Sequence, residues 1–300
     1  MTTNYTLISE ARCETGESPV WVAQESSLYW LDIPAGKIYR WQASSDQLNH
    51  WQMPEMVGSM AMCTHGGWIV AMETGIYEVQ LQPNGVCTHT KLAHVDHPTQ
   101  PMRFNDGRCD RQGRFLSGTM FNDTKAGKPV GSLYRFGNDN QLTRLLDDLI
   151  VPNGLAFSPD GCTMYVADTH ASRQTVWAFD YDVDTGTPHK QRVFVDMHQH
   201  QGRPDGAAVD ADGCYWVCAT DAGLVCRFTP TGQLDRSLTV PTAKPAMCAF
   251  GGDNLDTLFV TSLRRPDMGA EEDPYAGRVF ALRPGVQGLA EPQFKNTPTA

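Results

Sequence analysis

The sequence predicts an all-β fold, a six-bladed β-propeller with four antiparallel strands per blade, filling residues 1–300 as a single domain. Two observations predict it. Glycines and prolines punctuate the chain between short runs rich in Val, Phe, Tyr and Trp, and no helical periodicity of useful length interrupts them. A nine-residue frame closing on a turn also recurs six times. Units of about forty to fifty residues with four short strands each are the size of propeller blades.

The frames are ESPVWVAQE from Glu17, SMAMCTHGG from Ser59, NDGRCDRQG from Asn105, NGLAFSPDG from Asn153, DGAAVDADG from Asp205 and AMCAFGGDN from Ala246. Their starts lie 42, 46, 48, 52 and 41 residues apart. Each is followed by a second apolar stretch: LYWLDI, WIVAME, RFLSGTM, TMYVADT, YWVCAT and TLFVTS. Two further strand-like pieces complete each of the first five units, GKIYRW and LNHWQM in the first, for example. The sixth offers only GRVFALRP, so the N-terminal NYTLISEA is expected to close the ring and protect the edge of the last blade. Residues 264–277 read as a loop, with Glu271-Glu272-Asp273 as a solvated face. The tail after Pro284 reads as irregular surface chain.

A net charge of −10 argues against nucleic acid and against an anionic membrane as partners. The N-terminus has neither part of a signal peptide, and no apolar run reaches spanning length. The nine cysteines read as buried free thiols of a reducing cytoplasm. The sequence leaves the oligomeric state open.

Innermost propeller strands line a central channel, so residues at one frame position arrive at one depth around it. The first column is Glu17, Ser59, Asn105, Asn153, Asp205 and Ala246. Two carboxylates and two carboxamides in a partly buried ring favour a divalent cation, which relieves their repulsion. Oxygen donors suit Ca²⁺, Mg²⁺ or Mn²⁺, with Zn²⁺ and Fe²⁺ also admissible. The competing reading makes Asn153-Gly154 and Asp205-Gly206 plain tight turns. Arg103, two residues before Asn105, points to the same side, either to hold an oxygen-rich substrate or to pair with Asp106 or Asp123. His198 and His200 read as loop residues, and no G-x-S-x-G elbow offers a serine nucleophile.

Through GESPVW (16–21), RFNDG (103–107) with GTM (118–120), VPNGLAFSPDG (151–161) and RPDGAAVDADG (203–213), the chain resembles the family of senescence marker protein, regucalcin and bacterial gluconolactonases. The resemblance covers essentially the whole chain and implies a six-bladed propeller. It implies one divalent metal ion on the axis, held by Glu17, Asn153 and Asp205. It further implies substrate contacts from Arg103 and Asn105, with Asp205 as general base. Family members carry a glutamate three residues beyond the methionine of GTM. Asp123 stands there, one methylene shorter, as the implied contact to substrate hydroxyls.

The implied activity is hydrolysis of a sugar lactone, such as a glucono-, galactono-, xylono- or arabinonolactone, to its aldonic acid. Activation of the water is left between Asp205 and the ion. A promiscuous metal-dependent esterase or phosphotriesterase and a non-catalytic calcium-binding propeller are the alternatives.

Overall fold

The computed structural model describes residues 4–137, 140–264, 271 and 273–295. It contains six four-stranded sheets; five run outward in chain order from their innermost strand, and the sixth takes the N-terminal strand as its outermost. The innermost strands are Gly16–Val22, Val57–Met62, Met102–Cys109, Pro152–Phe157, Arg203–Val209 and Pro245–Gly251. Blades one to six carry them in that order. Among the described residues the only helical pieces are three short 3-10 turns.

The ring closes as the sequence predicts. Tyr5–Ser9 is the outermost strand of blade six and pairs antiparallel with Val279–Leu282, Leu7 opposite Phe280. The blades are held by apolar packing between neighbours. Tyr29 and Trp51 of blade one meet Trp68 and Val70 of blade two, and Leu116 of blade three meets Phe157 and Phe179 of blade four. Ile8, Leu28, Trp30 and Phe259 seal the seam between blades six and one.

Two readings of the connecting chain change. The tail beyond Pro284 is not loose surface chain, because its side chains find a buried seat and its backbone finds partners on four blades. The Gly288 N–H donates to Leu255 O at 2.8 Å, Ala211 N–H donates to Gln287 O, and Phe294 N–H donates to Met62 O at 2.8 Å. Phe294 is buried and stacks on Phe136 at 5.7 Å. Glu291 pairs with Arg108 at 3.0 Å, so the tail spans the channel end opposite the frame starts. Within the acidic run, Asp273 is buried rather than solvated, since it accepts hydrogen bonds from Thr242 Oγ1 at 2.7 Å and the Ala243 N–H at 2.9 Å. Glu271 is exposed; Glu272 and residues 265–270 of the predicted 264–277 loop lie outside the described residues. All nine cysteines are free, but Cys162 is exposed and Cys87 half-buried, both at turns or edges rather than in the core. His198 lies in a 3-10 turn with its Nδ1 on Asp196, and His200 is the residue that caps that turn.

Candidate functional site

Every innermost strand is bulged at the frame start. The ladder shifts between Glu17 and Val20, Val57 and Ser59, Phe104 and Gly107, Asn153 and Ala156, Pro204 and Ala207, and Pro245 and Cys248. A bulge bends the strand and re-aims side chains. Glycine makes one of them possible: Gly154 sits at φ 61°, and a Cβ there would meet the Tyr215 hydroxyl at 2.4 Å. Neither Asn153-Gly154 nor Asp205-Gly206 is a tight turn: both pairs lie inside innermost strands, and the positive φ of Gly154 belongs to the bulge.

Four of the six column residues, Glu17, Asn105, Asn153 and Asp205, line one cavity of about 890 Å³. Each is only 4–6 % exposed. Ser59 turns instead to Ser117 Oγ at 2.8 Å, and Ala246 is buried. A directed chain of hydrogen bonds fixes the amides. Arg103 Nη1 donates to Asn105 Oδ1 at 2.7 Å, and Asn105 Nδ2 donates to Asn153 Oδ1 at 2.8 Å. Asn153 Nδ2 donates to Thr169 Oγ1 at 2.6 Å, and that hydroxyl donates to Pro204 O at 2.6 Å. Neither Asp106 nor Asp123 is bonded to Arg103 among the described residues; its other bond goes to Phe104 O at 2.9 Å.

The carboxylates are electrostatically loaded. Burial pushes Glu17 well above the usual range, with the charges of Asp205 and Asp106 adding to it. Burial likewise raises Asp205, again with Asp106 adding. Arg103 is lowered to about 10 by burial, against the pull of Glu17, Glu73 and Asp205. Asp106 is a third buried acid that the sequence reading considered only as an ion-pair partner. Its Oδ2 accepts the Leu155 N–H at 2.9 Å, while its Oδ1 is buried without a partner among the described residues.

The donor set fits a hard divalent cation. Glu17 Oε2 accepts only the adjacent Ser18 N–H, and among the described residues none donates to the Asp205 carboxylate. Two buried acids so poorly supplied with donors can be neutralised by a proton or by a cation, and for a cation the amide oxygen of Asn153 would complete an all-oxygen set. No group of three or more His, Cys, Asp or Glu that could hold a metal assembles among the described residues.

Asp123 is exposed and caps the 3-10 turn Thr124–Ala126, accepting the Lys125 N–H at 3.1 Å. Thr124 and Lys125 line the cavity beside it. Sequence reading gave no role to Thr169, His170, Arg203, Asp221 or Lys244, all of which line the cavity too. Burial raises the Asp221 carboxyl, but hydrogen bonds from Arg203 and Lys244 outweigh it and hold the group below its usual value.

Residues 15–264 match the family described as the SMP-30/Gluconolactonase/LRE-like region. The chain belongs to this family. It is 39% identical over 286 residues to a 6-deoxy-6-sulfogluconolactonase of Pseudomonas putida, covering 93% of this chain and 94% of that one. It is 33% identical over 285 residues to human regucalcin, again 93% and 94%. A calcium-binding protein, regucalcin, from Agrobacterium tumefaciens superposes with a TM-score of 0.89 at 27% identity, covering 98% of each chain. Family members thus include named sugar lactonases, and the six-bladed propeller is shared. No helix among the described residues is long and apolar enough to cross a membrane.

Proposed function

We propose that this chain is a carboxylic-ester hydrolase that opens a sugar lactone to its aldonic acid, dependent on one divalent ion held by Glu17, Asn153 and Asp205. The observation that carries the reading is the pairing of two buried, donor-poor acids with a directed amide chain in one 890 Å³ cavity, large enough for a sugar ring. When bound, the ion supplies Lewis-acid polarisation of the lactone carbonyl.

The chain's own residues do the rest. Arg103 presents guanidinium donors beyond those spent on Asn105 and Phe104, and these orient the oxygen-rich ring. Asn105 spends both Nδ2 protons on Pro152 O and Asn153 Oδ1, so towards substrate it offers only its carbonyl, which accepts from a hydroxyl. Asp123 is not among the residues lining the cavity and caps the Thr124–Ala126 turn, so its contact to substrate hydroxyls rests on the family resemblance alone. Asp205 takes a proton from the water whose oxygen bonds to the carbonyl carbon. The ring C–O bond then breaks, the ring oxygen leaves as a hydroxyl carrying that proton, and the aldonic acid is released.

Ca²⁺, Zn²⁺, Mg²⁺, Mn²⁺ and Fe²⁺ all match the donor chemistry, and the calcium-binding description of the Agrobacterium neighbour supports testing Ca²⁺ first. The Pseudomonas relative is named for a six-carbon lactone, which supports a hexonolactone as the first substrate. Nine free cysteines support a reducing, cytoplasmic setting. A second reading, calcium binding without catalysis, rests on the regucalcin names alone. Asp205→Asn separates the roles: lactone turnover is lost while the fold, read by circular dichroism, is kept. Wild-type turnover in this variant removes Asp205 from the mechanism.

A further inference from the structure

Counting two residues back from the site column gives Thr15, Val57, Arg103, Val151, Arg203 and Lys244. All but Val57 line the cavity, so they form a second ring nearer the mouth, facing the same way as the first. Half of this ring is cationic. Arg103 stands beside the amide chain, bonded through Nη1 to Asn105 and Phe104, whereas Arg203 and Lys244 share Asp221 on blades five and six.

Asp221 clamps both. Arg203 Nε donates to Asp221 Oδ2 at 2.7 Å, and Lys244 Nζ donates to Oδ1. Arg203 Nη1 also donates to Thr169 O at 3.3 Å. Within the trio of Arg203, Lys244 and Asp221 one positive charge is left over, with Asp205 the next carboxylate in their electrostatic reach. The clamp also leaves donors unspent: a guanidinium has five and an ammonium three. Lys125 adds a further cation to the cavity wall from blade three. A neutral sugar ring has no use for such a surplus, whereas a fixed, multi-donor cationic pair matches a tetrahedral oxyanion.

A lactone whose carbonyl lies at Glu17, Asn153 and Asp205 directs its far carbon towards the mouth. We propose that Arg203 and Lys244, held by Asp221, form a subsite for an anionic substituent, a sulfonate or phosphate ester, on the lactone carbon farthest from the carbonyl. This rests on the lactonase reading, and adds a substrate class to it.

The test compares gluconolactone, 6-phosphogluconolactone and 6-deoxy-6-sulfogluconolactone on wild type, Arg203→Ala, Lys244→Ala and Lys244→Arg. The same proteins are titrated calorimetrically with the three corresponding aldonates. Wild type prefers at least one anionic lactone through a lower KM. That preference falls by about tenfold in each alanine variant and recovers in Lys244→Arg. The phosphate and sulfonate arms say which oxyanion is favoured. No preference in wild type, or equal losses on neutral and anionic lactones, overturns the subsite. If no lactone turns over, the lactonase reading fails by itself and the titrations decide. Charge-dependent aldonate affinity lost in the variants upholds the subsite, and charge-independent affinity overturns it.

Discussion

Asn105 Nδ2 donates to Asn153 Oδ1 across 2.8 Å, joining blade three to blade four inside the channel. The bond fixes which atom of the Asn153 amide is oxygen-side, because its Nδ2 is already spent on Thr169 Oγ1. Thr169 is therefore a positioning residue. Thr169→Val leaves a buried amide N–H and the Pro204 carbonyl without this partner, costing about 1–3 kcal/mol in denaturant unfolding. Divalent-cation affinity, titrated calorimetrically with Ca²⁺, falls by about 10- to 100-fold. Unchanged affinity would mean that the chain does not orient Asn153.

Glu17 and Asp205 give a pH prediction. Both folded-state carboxyls are raised, first by burial, so the folded protein holds their protons more tightly than the unfolded chain. Their favourable contribution is fully present below the unfolded carboxylate pKa and is lost as pH rises through the raised folded values. In chelator, Glu17→Gln should therefore gain on wild type in unfolding temperature as pH rises from the carboxylate range to neutrality. Adding a divalent cation should reverse the order at neutral pH. A gap that is flat in pH would contradict the loaded-carboxylate picture.

Much of this site was legible because the frame repeats. Glu17, Asn105, Asn153 and Asp205 share one column, and the bulges keep that column in register around the axis. Arg203 and Lys244 sit in an equally regular column two residues back, but their meaning depends on Asp221, a turn residue outside any repeated pattern. Thr169 follows the second strand of its blade, and nothing in the sequence says that its hydroxyl reaches both Asn153 and Pro204. The tail was misread because it pairs through isolated bridges, Phe294 with Cys63 and Gly288 with Asp210, which leave no alternation to detect.

That tail carries stability. Phe294→Ala empties a buried site against Phe136 and should cost about 3–5 kcal/mol, read from the shift in denaturant midpoint at constant slope. A shift below about 1 kcal/mol would show that residues 284–295 only rest on the propeller.

The central claim is a metal-dependent lactonase centred on Glu17, Asn153 and Asp205. Its most direct test is proton release from a panel of aldonolactones by chelator-treated protein, with single divalent ions added back to wild type, Glu17→Ala and Asn153→Ala. The account predicts turnover that is absent without an ion, restored by at least one of the five ions in wild type, and lost in both variants. Ion binding with no turnover of any lactone, or turnover indifferent to chelator and to both substitutions, would contradict it.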